Sequence, residues 1–176
     1  TPVKPVAGLW QRWQEMHDRA IALKGSQALR IAVVGGGAGS VELALAMSHH
    51  LRGQRVEMDL WCAAPVILQT YNARARRAVL AALHSRDIRV HVNARVAAVE
   101  AACLVLADGA RAAYDELFWC TGAAAAPWIA ASGLATDEQG FLAVRDTLQA
   151  LHDDKVFGAG DIATQVNHPR PKAGVY

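Results

Sequence analysis

The chain is poor in the residues that would mark a metal, nucleic-acid or membrane protein. Its three cysteines, Cys62, Cys103 and Cys120, are spaced for neither a zinc site nor a C-x-x-C redox pair. They read instead as small apolar residues of a reduced, cytosolic chain. Charged residues make up only 19% and the net charge is +2, too weak a balance for a nucleic-acid partner or an anionic membrane. No apolar run approaches the roughly 20 residues that span a bilayer, and no signal peptide is visible. Peripheral attachment to the inner face of the cell membrane stays open beside the cytoplasmic reading. There is no internal repeat.

What is present is a globular core. Hydrophobic residues make up 53%, much of it alanine, which suits close helix packing with little bulk. The length of 176 residues fits one domain, or one domain and part of another. The chain begins at Thr1, and "HPRPKAGVY" at its end reads as the start of a new element; both are expected of a piece of a longer protein.

Helical spacing over residues 7–23 places Leu9, Trp10, Trp13, Met16, Ala20, Ile21 and Leu23 on one face, and "KGSQ" closes that helix. "LRIAVV" is a buried strand, followed by a glycine loop and a helix ending near Gly53. "RVEMDLW" is a second strand, with Val56, Met58 and Leu60 on one face and Glu57 and Asp59 on the other. A helix over "YNARARRAVLAALHSRD" precedes short strands, a turn at Asp108–Gly109, and a strand from Leu117 to Cys120. Beyond Gly122 come a short helix and the strands in "GFLAV" and "KVFGAGDIAT", too few to form a domain alone. The order gives an α/β class: a Rossmann-like domain with a parallel sheet and a β-meander, and part of a second domain.

"VVGGGAGSVELA" has the parts of a dinucleotide loop. Gly35 supplies the tight turn from the strand, Gly37 the bare backbone, and the segment from Ser40 onward the helix whose free N–H groups meet a diphosphate. Strand, loop, helix and strand stand in the required order. A glycine turn without a ligand is the competing reading. Ser40 occupies the place of a third glycine, and its hydroxyl is free to bond local backbone. Glu42, placed in the first helical turn, either complements the helix dipole or serves the ligand. The second strand ends near Trp61 and Cys62, where an NAD site usually has an acid. Arg74, Arg76 and Arg77 could meet a 2′-phosphate, although a solvated helix start also explains them. His49 and His50 are adjacent on a helix and cannot easily share a metal, so no metal site is expected.

"FWCTG" and "VFGAGDIAT" add a strand ending in Thr–Gly and a second strand–glycine–acid motif. With these, the whole chain resembles the pyridine nucleotide-disulfide oxidoreductase superfamily of flavoproteins. Within it the chain is similar to type II NADH dehydrogenases and to the oxidoreductase modules fused to selenide, water dikinases. The resemblance implies that Gly35, Gly36, Gly37, Ala38, Gly39 and Ser40 hold the diphosphate of NAD(H) or NADP(H), with Glu42 near the nicotinamide. It implies that Thr121 and Gly122 lie where the chain crosses to the flavin domain. Gly160 and Asp161 would bind the ribityl–phosphate region of FAD, and Lys172 and Ala173 would lie near the isoalloxazine ring. Residues 1–29, with "VKP", would be a connector and helix from the flavin domain, 30–120 the NAD(P)H-binding domain, and 121–176 the second part of the FAD-binding domain.

The implied enzyme passes hydride from NAD(P)H to flavin and on to an unidentified acceptor, a quinone in type II dehydrogenases. No catalytic residue is assigned. The segment alone, lacking the first flavin loop, is expected to bind NAD(P)H weakly, to hold no FAD and to be inactive. Its partners would be the nicotinamide dinucleotide, the rest of the flavin domain, the electron acceptor and, in the fused form, a selenide, water dikinase. The alternative is a non-catalytic nucleotide-sensing or assembly domain of a larger fused protein.

Overall fold

The computed structural model describes residues 6–23, 27–122, 125–170 and 172. Three expectations, the connector "VKP", the helix stop at "KGSQ" and the role of Ala173, fall wholly or mainly outside them. The chain divides into two compact units, Thr1–Thr121 and Gly122–Tyr176.

The first unit is built on β1 (Leu29–Val34), β2 (Val56–Trp61), β3 (Ile88–His91) and β7 (Glu116–Trp119), a parallel sheet in the order β3-β2-β1-β7. β1 lies between β2 and β7, with Val34 level with both Trp61 and Trp119. Beyond Arg30 its sequence is apolar on both faces because both faces are covered. One face carries Ile31, Val33, Met58, Leu60 and Phe118 into a core with the helices α1 (Val6–Ala22), α2 (Ala38–His50) and α3 (Ala73–His84). Met16 and Ala20 of α1 are buried in that core, so α1 shares the first unit's interior.

The opposite face carries Ala32, Val34, Trp61 and Leu117 against a three-stranded antiparallel meander. Its strands are β4 (Val96–Glu100), β5 (Cys103–Leu106) and β6 (Arg111–Ala113). The expected turn at Asp108–Gly109 closes β5 onto β6: Gly109 has φ +86°, and Asp108 Oδ1 accepts from the Ala110 N–H at 2.9 Å. The result is three layers, helices on a parallel sheet on a meander, which is the α/β arrangement read from the sequence.

Among its described residues the second unit has one short α-helix, α4 (Pro127–Ala131), and a four-stranded sheet. Its strands are β8 (Leu142–Val144), β9 (Gln149–Ala150), β10 (Asp153–Phe157) and β11 (Ala163–Gln165), in the order β10-β9-β8-β11. Ile129, Leu142, Val144 and Ala150 form its small core. Gly158 is required by that packing: a Cβ there would stand 2.6 Å from Leu142 Cδ2 and 3.1 Å from Ala163 Cβ.

Candidate functional site

The glycine loop is tied to the strands beneath it. The Gly35 N–H donates to the Trp61 carbonyl at 2.9 Å, so the chain leaves β1 while still paired with β2. Gly35 has φ +145°, and a Cβ on it would stand 2.7 Å from the Cys120 carbonyl oxygen. A side chain is therefore excluded twice, by backbone conformation and by space. At Gly36 a Cβ would lie 2.2 Å from Cys62 Sγ, while the Gly36 carbonyl accepts from the Leu68 N–H at 2.7 Å. The loop that follows β2 thus grips the glycine loop from the side.

The next glycines differ. A Cβ on Gly37 or Gly39 would meet nothing within 4 Å, and both residues are exposed. Gly37 caps α2 in an extended conformation, φ −88° and ψ 179°, and among the described residues no side chain caps the free N–H groups of that helix. The positive end of this 13-residue helix therefore carries no side chain at Gly37 or Gly39, and the space a Cβ would take there is empty. Ser40 is fully buried, and its Oγ donates to the Gly37 carbonyl at 2.7 Å. Its Cβ would be 3.2 Å from a Cβ on Gly35, so the residue fills the helix–strand junction rather than the mouth of the loop.

Two details depart from the sequence reading. α2 begins at Ala38, two residues before Ser40, because the backbone turns helical directly after the Gly37 cap. Glu42 is consequently the fifth residue of α2 and lies past its first turn, exposed. Its charge therefore gains little from the helix dipole, whose effect fades within one turn.

The end of β2 is occupied by packing. Trp61 is 9% exposed and stacks on His91, with ring centroids 3.9 Å apart and planes 9° from parallel. Asp59, two residues back, accepts from Arg89 Nη2 at 2.8 Å and pairs with His91 Nε2 at 2.6 Å. Burial pushes its carboxyl up, but the hydrogen bonds from Arg89 and His91 outweigh this and hold it below the usual carboxylate value. Glu57 is paired with Arg89 Nη2 at 2.9 Å. Cys62 is buried, and Cys120 is half-buried with its thiol pushed up to about 11 by burial.

At the start of α3, Asn72 Oδ1 accepts from the Ala75 N–H at 2.9 Å, and Arg76 Nη1 donates to the Tyr71 carbonyl at 2.9 Å. Near the end of α2, His49 Nδ1 lies 3.0 Å from Arg52 Nη2, and the His50 ring meets Trp13 edge-on. The tryptophans divide: Trp61 is in the core, whereas Trp10 and Trp128 are each 59% exposed.

The remaining candidate residues sit elsewhere. Thr121 is exposed at the end of the first unit, and Gly122 begins the second with φ +62°. Gly160, φ +70°, opens a 3-10 turn of Gly160–Ile162 that contains the half-buried Asp161. Lys172 Nζ donates to the Ala163 carbonyl and, at 2.8 Å, to Thr164 Oγ1, and lies 4.5 Å from the Phe141 ring centroid. Thr164 Oγ1 in turn donates to Asp137 Oδ2 at 2.7 Å. Apart from Thr121 and Gly122, the candidates therefore form two groups. Residues 35–42 gather at the start of α2, and Gly160, Asp161 and Lys172 gather around the start of β11. Asp137 and Leu68 are not singled out by the sequence, and Cys62 reads there as a small apolar residue and as the end of the second strand, not as a wall of the glycine loop. Its contact with the loop had a signal, since it is the first residue past the strand beside a run of three glycines.

Comparison with known proteins agrees with this architecture. Over 150 residues the chain is 27% identical to the type II NADH:quinone oxidoreductase of Haemophilus influenzae, covering 78% of this chain and 34% of that protein. It thus spans about a third of that relative's length. The structure of NDH2 from Plasmodium falciparum in complex with NADH superposes with a TM-score of 0.71 at 16% identity, over 87% of this chain and 36% of that one. A FAD-dependent pyridine nucleotide-disulphide oxidoreductase from Desulfovibrio vulgaris gives 0.69 at 18% identity, over 93% of this chain and 40% of that one. Among the described residues no helix is long and apolar enough to cross a membrane. The family model for pyridine nucleotide-disulphide oxidoreductases matches residues 3–174, and the chain belongs to that family.

Proposed function

We propose that residues 30–120 are the NAD(P)H-binding domain of an FAD-dependent oxidoreductase, and that 121–176 belong to its FAD-binding domain. Residues 1–29 would connect the two. The observation that carries this reading is the bare N-terminus of α2. Gly37 and Gly39 set no side chain beside its first N–H groups, and a Cβ on either would meet nothing within 4 Å, so the space before the helix is open to a phosphate. The surroundings fit the diphosphate, because the loop offers backbone donors, a helix dipole and no carboxylate between Gly35 and Val41.

The chemistry supplied by the bound cofactor pair is hydride transfer from nicotinamide to flavin, with electrons then delivered to an acceptor. The chain's own part is binding and orientation. Gly35 and Gly36 set the backbone path, Gly37, Ala38 and Gly39 present N–H groups, and Ser40 pins the first turn of α2 through its bond to Gly37. Glu42, on the exposed side of α2, would orient the nicotinamide end. Thr121 and Gly122 form the passage between the units. Gly160, Asp161 and Lys172 would contribute to the flavin site. A quinone acceptor is proposed by likeness to the Haemophilus enzyme, and fusion to a selenide, water dikinase by the sequence resemblance alone. A cytoplasmic location, with peripheral attachment to the inner face of the membrane, belongs to the same proposal.

The test is a titration of the full-length protein with NADH and NADPH, followed by tryptophan fluorescence. Saturable quenching by at least one dinucleotide is expected. Absence of any response to both, with the protein folded, overturns the reading.

A further inference from the structure

Resting on that reading, we infer that the dinucleotide site does not exclude a 2′-phosphate, that NADPH binds at least as tightly as NADH, and that Arg74 and Arg77 meet the extra phosphate. Selection for NAD usually rests on an acid at the end of the second strand, which hydrogen-bonds the ribose 2′-OH and repels a phosphate there. In this chain that place is taken. Trp61 is packed among Ala32, Val34, Leu104 and Leu117 and stacked on His91. Cys62 is buried, with its sulfur against Gly36. The acids of β2 are spent: Asp59 is engaged by Arg89 and His91, and Glu57 by Arg89. Asp59 also lies two residues, about 7 Å, back from the strand end.

The charge beyond the strand has one sign. From Trp61 to Arg86 there are four arginines and no Asp or Glu. Two of the four are committed, Arg76 to the Tyr71 carbonyl and Arg86 to the Ala82 carbonyl. Arg74 and Arg77 are exposed, and among the described residues neither guanidinium has a hydrogen-bond or ion-pair partner. Both sit in the first turns of α3, which is tethered to the glycine loop. The Leu68 N–H bonds the Gly36 carbonyl at 2.7 Å, the Tyr71 N–H bonds the Leu68 carbonyl at 2.9 Å, and Asn72 caps the helix. Six and nine positions along the chain from the residue bonded to Gly36 thus stand two free guanidinium groups, which suit phosphate geometry.

The experiment is calorimetric titration of the full-length protein with NADPH and with NADH, repeated on an Arg74→Ala/Arg77→Ala variant. The wild type should bind NADPH as tightly as NADH or more so. The variant should weaken for NADPH by about tenfold, the loss of one or two charge-assisted contacts, and stay within about twofold for NADH, which also reports an intact fold. NADH binding about tenfold tighter than NADPH in the wild type would overturn the inference while leaving the proposed function standing. Equal weakening of both cofactors in the variant would overturn the role of the arginines. Binding of neither by the wild type would overturn the proposed function itself.

Discussion

The four glycines between β1 and the body of α2 do different jobs, and single methyl groups separate them. Gly35→Ala puts a Cβ 2.7 Å from a backbone oxygen at a φ that alanine avoids, so the sheet and loop must shift. A loss of roughly 2–3 kcal/mol is expected, read by urea denaturation. Gly37→Ala meets nothing within 4 Å and has φ −88°, so stability should change by less than about 0.5 kcal/mol while NAD(P)H affinity falls. Equal damage to stability from both substitutions would refute this division of labour. Gly35 was legible in sequence because the tight turn out of β1 demands its backbone freedom. Gly36 was not, because its constraint comes from Cys62, 26 positions away. Ser40 could be read only halfway. Its local hydroxyl bond was foreseeable, whereas its complete burial against the strand depends on the packing of α2.

Elements were easier to read than their attachments. The 3.6-residue spacing of Met16 and Ala20 announced a buried face on α1 but not what that face covers, nor how the helix is fixed. The fixing comes from Glu116, 1% exposed at the start of β7, where its carboxylate meets Arg12 Nη2 at 2.7 Å and Arg19 Nη1. Nothing in "YDELFW" marks that glutamate as buried, since its two cations are about a hundred residues upstream. Glu116→Ala removes the anion and leaves two cations facing a buried pocket. Because Arg12 and Arg19 are 39% and 51% exposed, water can reach them, and the cost should fall below the 3–5 kcal/mol typical of a broken buried pair. About 2 kcal/mol is expected from thermal or urea unfolding, with earlier hydrogen exchange in α1 than in α2. A variant as stable as wild type, with unchanged exchange in α1, would show that apolar packing alone holds the helix. The return strand β7 and the meander followed from alternation and the Asp108–Gly109 turn, but β9, two residues long, left no period to detect.

Across the molecule, both units hold carboxylates in the ionised form, and this sets the response to acid. In the first unit Asp115 is held below its usual value by the side-chain hydrogen bond from Arg30, and Asp59 by Arg89 and His91 against the opposing pull of burial. In the second, burial pushes Asp137 up, but bonds from Thr164 and from the Phe141 and Gln139 N–H groups bring it below the ordinary value. A lowered folded-state pKa means that the unfolded chain binds the proton more readily. The stability these groups contribute is present above the unfolded value, about 3.9 for Asp, and is lost as pH falls through the lower folded values. Stability should therefore hold from neutrality down to about pH 5 as far as these three groups are concerned, and drop below pH 4. Asp59→Asn and Asp115→Asn should each flatten the acid limb of the first unit, and Asp137→Asn that of the second. Their effects should be separable by hydrogen exchange that follows residues 29–119 and 142–165 independently. An acid limb of unchanged slope in Asp59→Asn/Asp115→Asn would mean that these carboxylates are not ionised partners in the folded chain, and the packing of β2 and β3 around Asp59 would then need another source.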